Sequence, residues 1–235
     1  MKILFVQPTA DKKGHYGKYT LNLCQELAKA SNEVVLFTNK AEPSKFIKEP
    51  PMFRIVEYKE GSFSFECFDA ARKTRPWLYL WGYLRNSFVI FKAALDFAKK
   101  EKFDVIQVTD VEFGILALLL ALKGKSVAPV VLLIHAPNFS FFKYPGNMVF
   151  RLYKVLQREL LRTRIGREIK AIVALGEYHK SELRKQFRLA PTFSVGVIYD
   201  GAEPPLIFLE TTEARRKLDI DYNGAIFMLF GMLRK

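Results

Sequence analysis

The sequence predicts an α/β fold in which helices cover both faces of a doubly wound parallel sheet. Its short apolar runs are rich in Val and Ile and do not alternate with polar residues, which is typical of strands buried on both faces. Segments with apolar residues at helical spacing lie between these runs, and such alternation favours a parallel sheet. The chain has 235 residues, 50% of them hydrophobic, which is enough for one large domain and part of another.

The first part of the chain forms a β-loop-α-β unit. The apolar run "KILFVQ" (2–7) predicts a strand that stops at Pro8, and apolar spacing over 17–30 predicts a helix. A polar loop with Gly14 and Gly17 separates the two. Runs at 33–39 and 53–58 predict the next strands.

The same alternation continues towards the carboxyl end. The remaining predicted strands are 103–110, 128–136, 170–176, 193–204 and 225–233, and the remaining predicted helices are 83–101, 112–124, 147–169 and 177–187. Adjacent prolines in "DGAEPPLIFLETT" (200–212) indicate a connector. We therefore expect a first domain over 1–204, and over 205–235 a linker with the first helix and strand of a second domain.

The glycine loop does not favour a dinucleotide site. Such a site requires G-x-G-x-x-G directly after the first strand and an acidic residue closing the second. Here the spacing is Gly14-x-x-Gly17, and the second strand closes with Thr38 and Asn39. The glycines allow close approach of a ligand, and the helix start directs its amides at the crevice beyond the strand ends. A purely structural turn remains the alternative.

The charge of +13 indicates an anionic partner or a solvated basic surface. Residues 151–170 carry seven Lys and Arg against two Glu, with an apolar stripe predicted through Leu152, Val155, Leu156, Leu160, Leu161 and Ile165. Such a helix can lie on an anionic membrane, or it can pack its stripe on the sheet with its charges solvated. Aromatic and cationic residues also interleave over 72–88 and 138–146. No nucleic-acid-binding motif is present, so we expect no nucleic-acid partner.

Two cysteines without a disulfide or metal spacing, and an amino terminus unlike a signal peptide, predict a cytoplasmic protein. The longest apolar run, 115–122, is far shorter than the ~20 residues that span a bilayer. Peripheral contact with the inner face of the plasma membrane remains open at this stage.

The ordered set of segments resembles the amino-terminal, Rossmann-like domain of a GT-B glycosyltransferase of the retaining family 4 type. The segments that carry the resemblance are "MKILFVQP…GHYGKYTLNLCQELAKASNEVVLFTN", "FDVIQVTDVEFGILALLLAL", "PVVLLIHAP", "IKAIVALGEYHKSEL", "VGVIYDGAEP" and "EARRKLDI…AIFMLFGMLRK". The resemblance implies an acceptor-binding domain paired with a donor domain that binds a nucleotide sugar, with chemistry in the cleft between them and without a bound metal or other cofactor. The family's donor lysine and paired glutamates would follow residue 235, so we expect this chain to be inactive by itself.

The resemblance also implies roles for particular residues. His135, at a strand end, is expected to contact the donor sugar or the reaction centre, and a histidine satisfied by its neighbours is the alternative. From its own position at the end of a predicted strand, Asp110 is expected to orient or deprotonate an acceptor hydroxyl. An N-cap role for Asp110 is the alternative, and Glu112 has the same ambiguity. The residues expected to line the acceptor cleft are Gly14, His15, Tyr16, Gly17, Asn138 and Glu177, and those expected to contact the donor are Gly231 and Arg234.

Three functions remain open from the sequence. The first is sugar transfer from a nucleotide sugar to a glycan or a lipid-linked acceptor. The second is a non-catalytic binding module with the same half-fold. The third is a related sugar-nucleotide enzyme such as an epimerase.

Overall fold

The computed structural model describes residues 1–10, 15–41, 47, 49–61, 71–109, 113–123, 128–142, 147–199, 211–217 and 219, with backbone only at 15, 16, 71, 73, 211 and 214. Seven strands are formed within these ranges: β1 Lys2–Gln7, β2 Glu33–Thr38, β3 Arg54–Glu57, β4 Val105–Thr109, β5 Val130–Ile134, β6 Ile169–Ala174 and β7 Ser194–Val197. The helices within them are α1 His15–Lys29, α2 Ala71–Thr74, α3 Pro76–Glu101, α4 Ile115–Leu122, α5 Met148–Arg162, α6 Glu177–Phe187 and α7 Thr211–Lys217.

The seven strands form one parallel sheet in the order β3-β2-β1-β4-β5-β6-β7. The reversal of strand order beside β1 is the switch point of a doubly wound sheet. The predicted fold class is therefore confirmed.

Both faces of the sheet are covered by helices. Ile3 and Phe5 pack with Leu21 and Cys24 of α1 on one face. Leu4 of the same strand points to the other face, where it joins a cluster that contains residues of α3, α4 and α6. Because successive strand residues point to opposite faces, a strand covered on both sides must be apolar at nearly every position.

Several helix bounds differ from the sequence prediction. Helix α3 begins at Pro76 rather than at residue 83, since proline at the first helical position has its φ preset and lacks an N–H that would be left unpaired. Helix α5 ends at Arg162 rather than at 169, and the chain then turns through Gly166 at φ +82°. Helix α1 begins at His15, so Gly17 lies in its first turn.

The apolar stripe predicted along α5 does not face inward as a whole. The buried residues of the helix are Phe150, Lys154, Gln157 and Leu161. Leu152 and Leu156, which the pattern assigned to the stripe, are exposed instead. The interpretation that all cations of this segment are solvated is also wrong, because Lys154 is only 3% exposed.

The chain divides into two compact units, Met1–Tyr199 and Asp200–Lys235. The first contains the whole sheet. In the second, the described helix α7 carries an ion pair between Glu213 and Lys217, with a nitrogen–oxygen distance of 3.2 Å. The strand predicted at 225–233 lies outside the described residues. Among the described helices, none combines the length and the apolar character that a bilayer span requires.

Candidate active site at the carboxyl edge of the sheet

Buried polar side chains end three adjacent strands. Gln7, Thr38 and Thr109 close β1, β2 and β4 at one edge of the sheet, and all three are buried. The register pairs Gln7 with Thr38, and it places both on the face covered by α1. Since ligands of open α/β sheets bind beyond the carboxyl ends of the strands, this edge is the candidate site.

The hydrogen bonds of this polar layer are partly made within the chain. Thr38 donates its hydroxyl to the Gln7 carbonyl at 2.8 Å, and the side-chain oxygen of Gln7 accepts from the amide and the hydroxyl of Thr9 at 3.3 and 3.1 Å. Among the described residues, Gln7 Nε2, Thr20 Oγ1 and Thr109 Oγ1 are buried without a hydrogen-bond partner. Buried polar groups are normally paired, so these atoms are available to a water or a ligand.

The segment after β1 is also held by α3. The side chain of Asn86, which is fully buried, donates to the Pro8 carbonyl at 3.3 Å. This bond fixes the end of β1, from which the glycine loop departs, against the other face of the sheet.

His135 directly follows β5 and therefore lies at the same edge. The strand register places it on the face covered by α1, where its ring meets that of Tyr19 edge-on with 4.9 Å between centroids. The residue is half-buried, and both ring nitrogens are shielded from solvent. The contact brings the first turns of α1, which include Gly17, next to the residue predicted to be catalytic.

The loop after His135 is clamped by a buried glutamine of α6. Gln186 accepts from the Phe139 amide at 3.1 Å and donates to the Pro137 carbonyl at 2.7 Å. Within the loop the Asn138 amide donates to the Ala136 carbonyl at 2.8 Å. Arg162 at the end of α5 donates to the backbone carbonyl of Gln186. The amide oxygen and the amide nitrogen of the Gln186 side chain thus both fix the loop that bears Asn138.

A buried ammonium group lies beneath this loop. Lys154 Nζ lies 4.7 Å from the ring centroid of Phe139 and 5.0 Å from that of Phe113, a distance typical of cation–π contacts. Tyr153, next to it on α5, donates its hydroxyl to the Phe113 carbonyl at 2.9 Å. Burial raises the pKa of Tyr153, so this hydroxyl stays protonated.

The remaining predicted site residues are placed only in part. Gly17 is buried in the first turn of α1, and the backbones of His15 and Tyr16 lie in the same turn. Glu177 is exposed at the start of α6 and pairs with Lys180 at 3.2 Å. The others, Gly14, Asp110, Glu112, Gly231 and Arg234, lie outside the described residues.

Sequence reasoning missed the polar layer, Tyr19 and Gln186. A signal for the layer does exist, because the apolar runs of β1, β2 and β4 each end on a polar residue. Nothing in the local sequence distinguishes Tyr19 or Gln186 from ordinary helix residues, since their partners are more than 40 positions away. Within the described ranges, no three His, Cys, Asp or Glu side chains cluster as metal ligands would.

Comparisons with known proteins identify the family of the chain and its fold. The model of the family described as Glycosyltransferase Family 4 matches residues 17–204. A glycosyltransferase from Rickettsia africae ESF-5 is similar in structure, with 17% identity and a TM-score of 0.49 over 94% of this chain and 50% of that one. The glycosyltransferase SnogD from Streptomyces nogalater has 16% identity and a TM-score of 0.50 over 90% of this chain and 54% of its own. The chain thus spans about half the length of these two structures. No curated protein sequence matches it.

Proposed function

The chain belongs to glycosyltransferase family 4 and has the fold of the amino-terminal half of a GT-B enzyme, and on that premise we propose that it is the acceptor-binding lobe of a hexosyltransferase. The enzyme would transfer a sugar from a nucleotide-sugar donor to a lipid-linked or saccharide acceptor with retention of configuration. We place it in the cytoplasm, and we expect no metal or other cofactor.

The observation that best supports this proposal is the position of His135 within the matched region. It leaves the carboxyl end of β5 beside the first turns of α1, at the edge where buried polar atoms of Gln7 and Thr109 have no described hydrogen-bond partner. An imidazole can donate and accept a hydrogen bond, which suits contact with a sugar hydroxyl or a developing charge at the reaction centre.

The chain's own contribution is the positioning of the acceptor. The polar layer supplies hydroxyl and amide groups that suit sugar hydroxyls, and the Gln186 clamp holds the loop that carries Asn138. A fixed geometry lowers the entropic part of the barrier. In this proposal Asp110 orients or deprotonates the acceptor hydroxyl, while Gly14, His15, Tyr16, Gly17 and Glu177 line the cleft.

Stabilisation of the leaving diphosphate is assigned to the donor lobe. Gly231 and Arg234 are proposed to begin that lobe's contribution, and cationic groups and helix amides of the rest of the lobe would complete it. Residues 1–235 alone would therefore bind an acceptor without turning over a donor. Activity has to be measured on a polypeptide that carries both lobes.

We predict that His135→Ala lowers kcat of the two-lobed enzyme roughly 100-fold or more, as expected when a preorganised hydrogen-bonding group is lost at the reaction centre. The assay is transfer from a panel of nucleotide sugars to glycan and lipid-linked acceptors, followed by mass spectrometry. His179→Ala removes the half-buried imidazole of α6 as a matched control, and its turnover should stay near that of the unmodified enzyme.

The outcomes separate the three functions. Retained turnover in His135→Ala would remove the catalytic role of this residue. Acceptor binding without transfer in any donor combination would identify a binding module. Conversion of the nucleotide sugar without an acceptor would indicate an epimerase-type reaction instead.

A further inference from the structure

We propose that the outward faces of α3 and α5 dock the protein on an anionic phospholipid bilayer. The docking face consists of Trp77, Leu78, Trp81, Met148, Leu152 and Leu156, all of them exposed. The proposal goes beyond sugar transfer and does not depend on it, because it rests on the surface of the first unit alone.

The first part of the docking face lies on the amino-terminal turns of α3. Trp77 and Trp81 are 69% and 67% exposed, and Leu78 lies beside them. At helical spacing these three share one side of the helix, whereas Tyr79 and Tyr83, on the opposite side, are fully buried. Transfer of an indole from water to a membrane interface is favourable, because its ring is desolvated there while its N–H still contacts polar groups.

The second part lies on α5. Met148, Leu152 and Leu156 recur every four residues, so they form one exposed apolar row along the helix. The buried side of the same helix contains Lys154 and Gln157. The same side buries Phe150 and Leu161, so packing of Phe150 in the aromatic cluster orients the helix and leaves the apolar row exposed.

The two helices are neighbours in the structure. The aromatic cluster between them joins Tyr79 of α3 to Phe150 of α5 at 6.0 Å between ring centroids, and Phe113 contacts both rings at 6.0 and 5.2 Å. The exposed residues lie on the sides of the two helices that point away from this cluster. The two exposed apolar rows therefore lie on helices that contact each other, and the two double variants below test each row separately.

The charge distribution determines the kind of membrane. Residues 70–95 contain five Lys and Arg and no Asp or Glu, and residues 113–158 contain six Lys and Arg, of which Lys154 is buried. Glu159, the next residue of α5, is exposed and pairs with Arg158 and Arg162 at 2.6 and 2.5 Å. The first stretch includes α3 from its start to Leu95, and the second includes α5 from its start to Arg158. Basic groups near a surface favour anionic lipid by about 1 kcal/mol each. Like charge also opposes the pairing of this face with a second copy of the chain.

The docking face adjoins the candidate site. Asn86 of α3 donates to the Pro8 carbonyl beyond β1, and Tyr153 of α5 donates to the Phe113 carbonyl beyond β4, so both helices pass the edge that carries His135. Bilayer docking would hold this edge close to the lipid headgroups. A lipid-linked acceptor would then reach the cleft, and this consequence alone rests on the proposed function.

The chain carries its own reporter for the test. Its two tryptophans are both on the docking face, so tryptophan emission, excited at a wavelength that tyrosine does not absorb, reports on this surface alone. Vesicles of phosphatidylcholine with about one third phosphatidylglycerol should shift the emission of the 235-residue protein to the blue, and brominated acyl chains should quench it. Co-sedimentation should show the same binding, weakened by 0.5 M salt and by omission of the anionic lipid.

Matched variants locate the surface. The double variant Leu152→Gln with Leu156→Gln should lower the partition coefficient for the vesicles roughly tenfold. The double variant Trp77→Gln with Trp81→Gln should lower it by the same factor. Met52→Gln with Tyr178→Gln removes two equally exposed apolar side chains from other surfaces and should leave binding unchanged. For charge, Arg75→Glu with Lys92→Glu should weaken binding, and Arg167→Glu with Lys170→Glu, outside residues 70–95 and 113–158, should weaken it much less.

Three results would overturn the inference. The first is emission and sedimentation that do not respond to anionic vesicles. The second is equal loss of binding in the control and docking-face variants, with circular dichroism showing all of them folded. The third is a concentration-dependent blue shift without vesicles together with a dimer in analytical ultracentrifugation, which would assign the face to a second copy.

Discussion

Glu101 is a single carboxylate that joins three separate parts of the first unit. Placed at the end of α3, it accepts from Arg54 of β3 at 2.6 Å and from Lys2 of β1 at 3.4 Å. The Arg54 guanidinium, and then the Lys2 ammonium, hold the pKa of Glu101 below its ordinary value of 4.5. A carboxyl group with a lowered pKa in the folded state stabilises the fold above the unfolded-state pKa.

This stabilisation should disappear in acid. As the pH falls through the lowered pKa of Glu101, below 4.5, the folded state loses the contribution of the ionised carboxylate. We therefore expect Glu101→Gln to lower the urea midpoint of unfolding at pH 7, and we expect the difference from the unmodified protein to be smaller at pH 3 than at pH 7.

Glu60→Gln is the control, because that carboxylate is exposed and contacts only Tyr58 among the described residues, at 3.5 Å. An equal effect of Glu101→Gln at both pH values would mean that the carboxylate acts through packing and not through its charge.

The loop after β5 depends on one side chain of a different element. Because Gln186 is buried and bonds both Phe139 and Pro137, its removal would leave a backbone amide and a backbone carbonyl without partners. A buried polar group left without a partner costs about 1–3 kcal/mol. Gln186→Ala should thus reduce the free energy of unfolding by about 2 kcal/mol in urea titrations.

Two further variants test whether the hydrogen bonds cause this loss. Lys185→Ala, at the exposed neighbouring position, should change the free energy of unfolding by less than about 0.5 kcal/mol. Gln186→Glu keeps an acceptor for the Phe139 amide but places a carboxylate against the Pro137 carbonyl and Glu182, so at pH 7 it should destabilise the protein at least as much as Gln186→Ala. If Gln186→Ala unfolds at the same urea concentration as the unmodified protein, the clamp does not stabilise the loop.

Helix α5 shows how far a periodic pattern can mislead. Its sequence has apolar residues at helical spacing, which predicts a helix but not which side is covered. The aromatic cluster formed by Tyr79, Phe113 and Phe150 orients the helix, and this orientation turns Leu152 and Leu156 outward. Contacts with distant residues therefore determined the buried face, and they produced the surface that we propose to bind lipid.

At the scale of the molecule, the first unit contains a complete sheet with its own core on both faces. We expect residues 1–199 to fold by themselves, with the circular dichroism of an α/β protein and one cooperative urea transition. Truncation after residue 188 would remove β7, which pairs with β6 along Ala171–Ala174, and should broaden or abolish that transition. Loss of cooperativity already in 1–199 would show that the unit requires residues beyond Tyr199.

The sequence alone determined the fold class, the order of the elements and the position of His135 at a strand end. These properties depend on local patterns: apolar runs without alternation predict buried parallel strands, and the residue after such a strand must lie at the sheet's carboxyl edge. Tertiary structure decided which side of α5 is buried, that Tyr19 covers His135, and that Gln186 fixes the following loop. These features arise from contacts between residues far apart in the chain, and local periodicity contains no information about such partners.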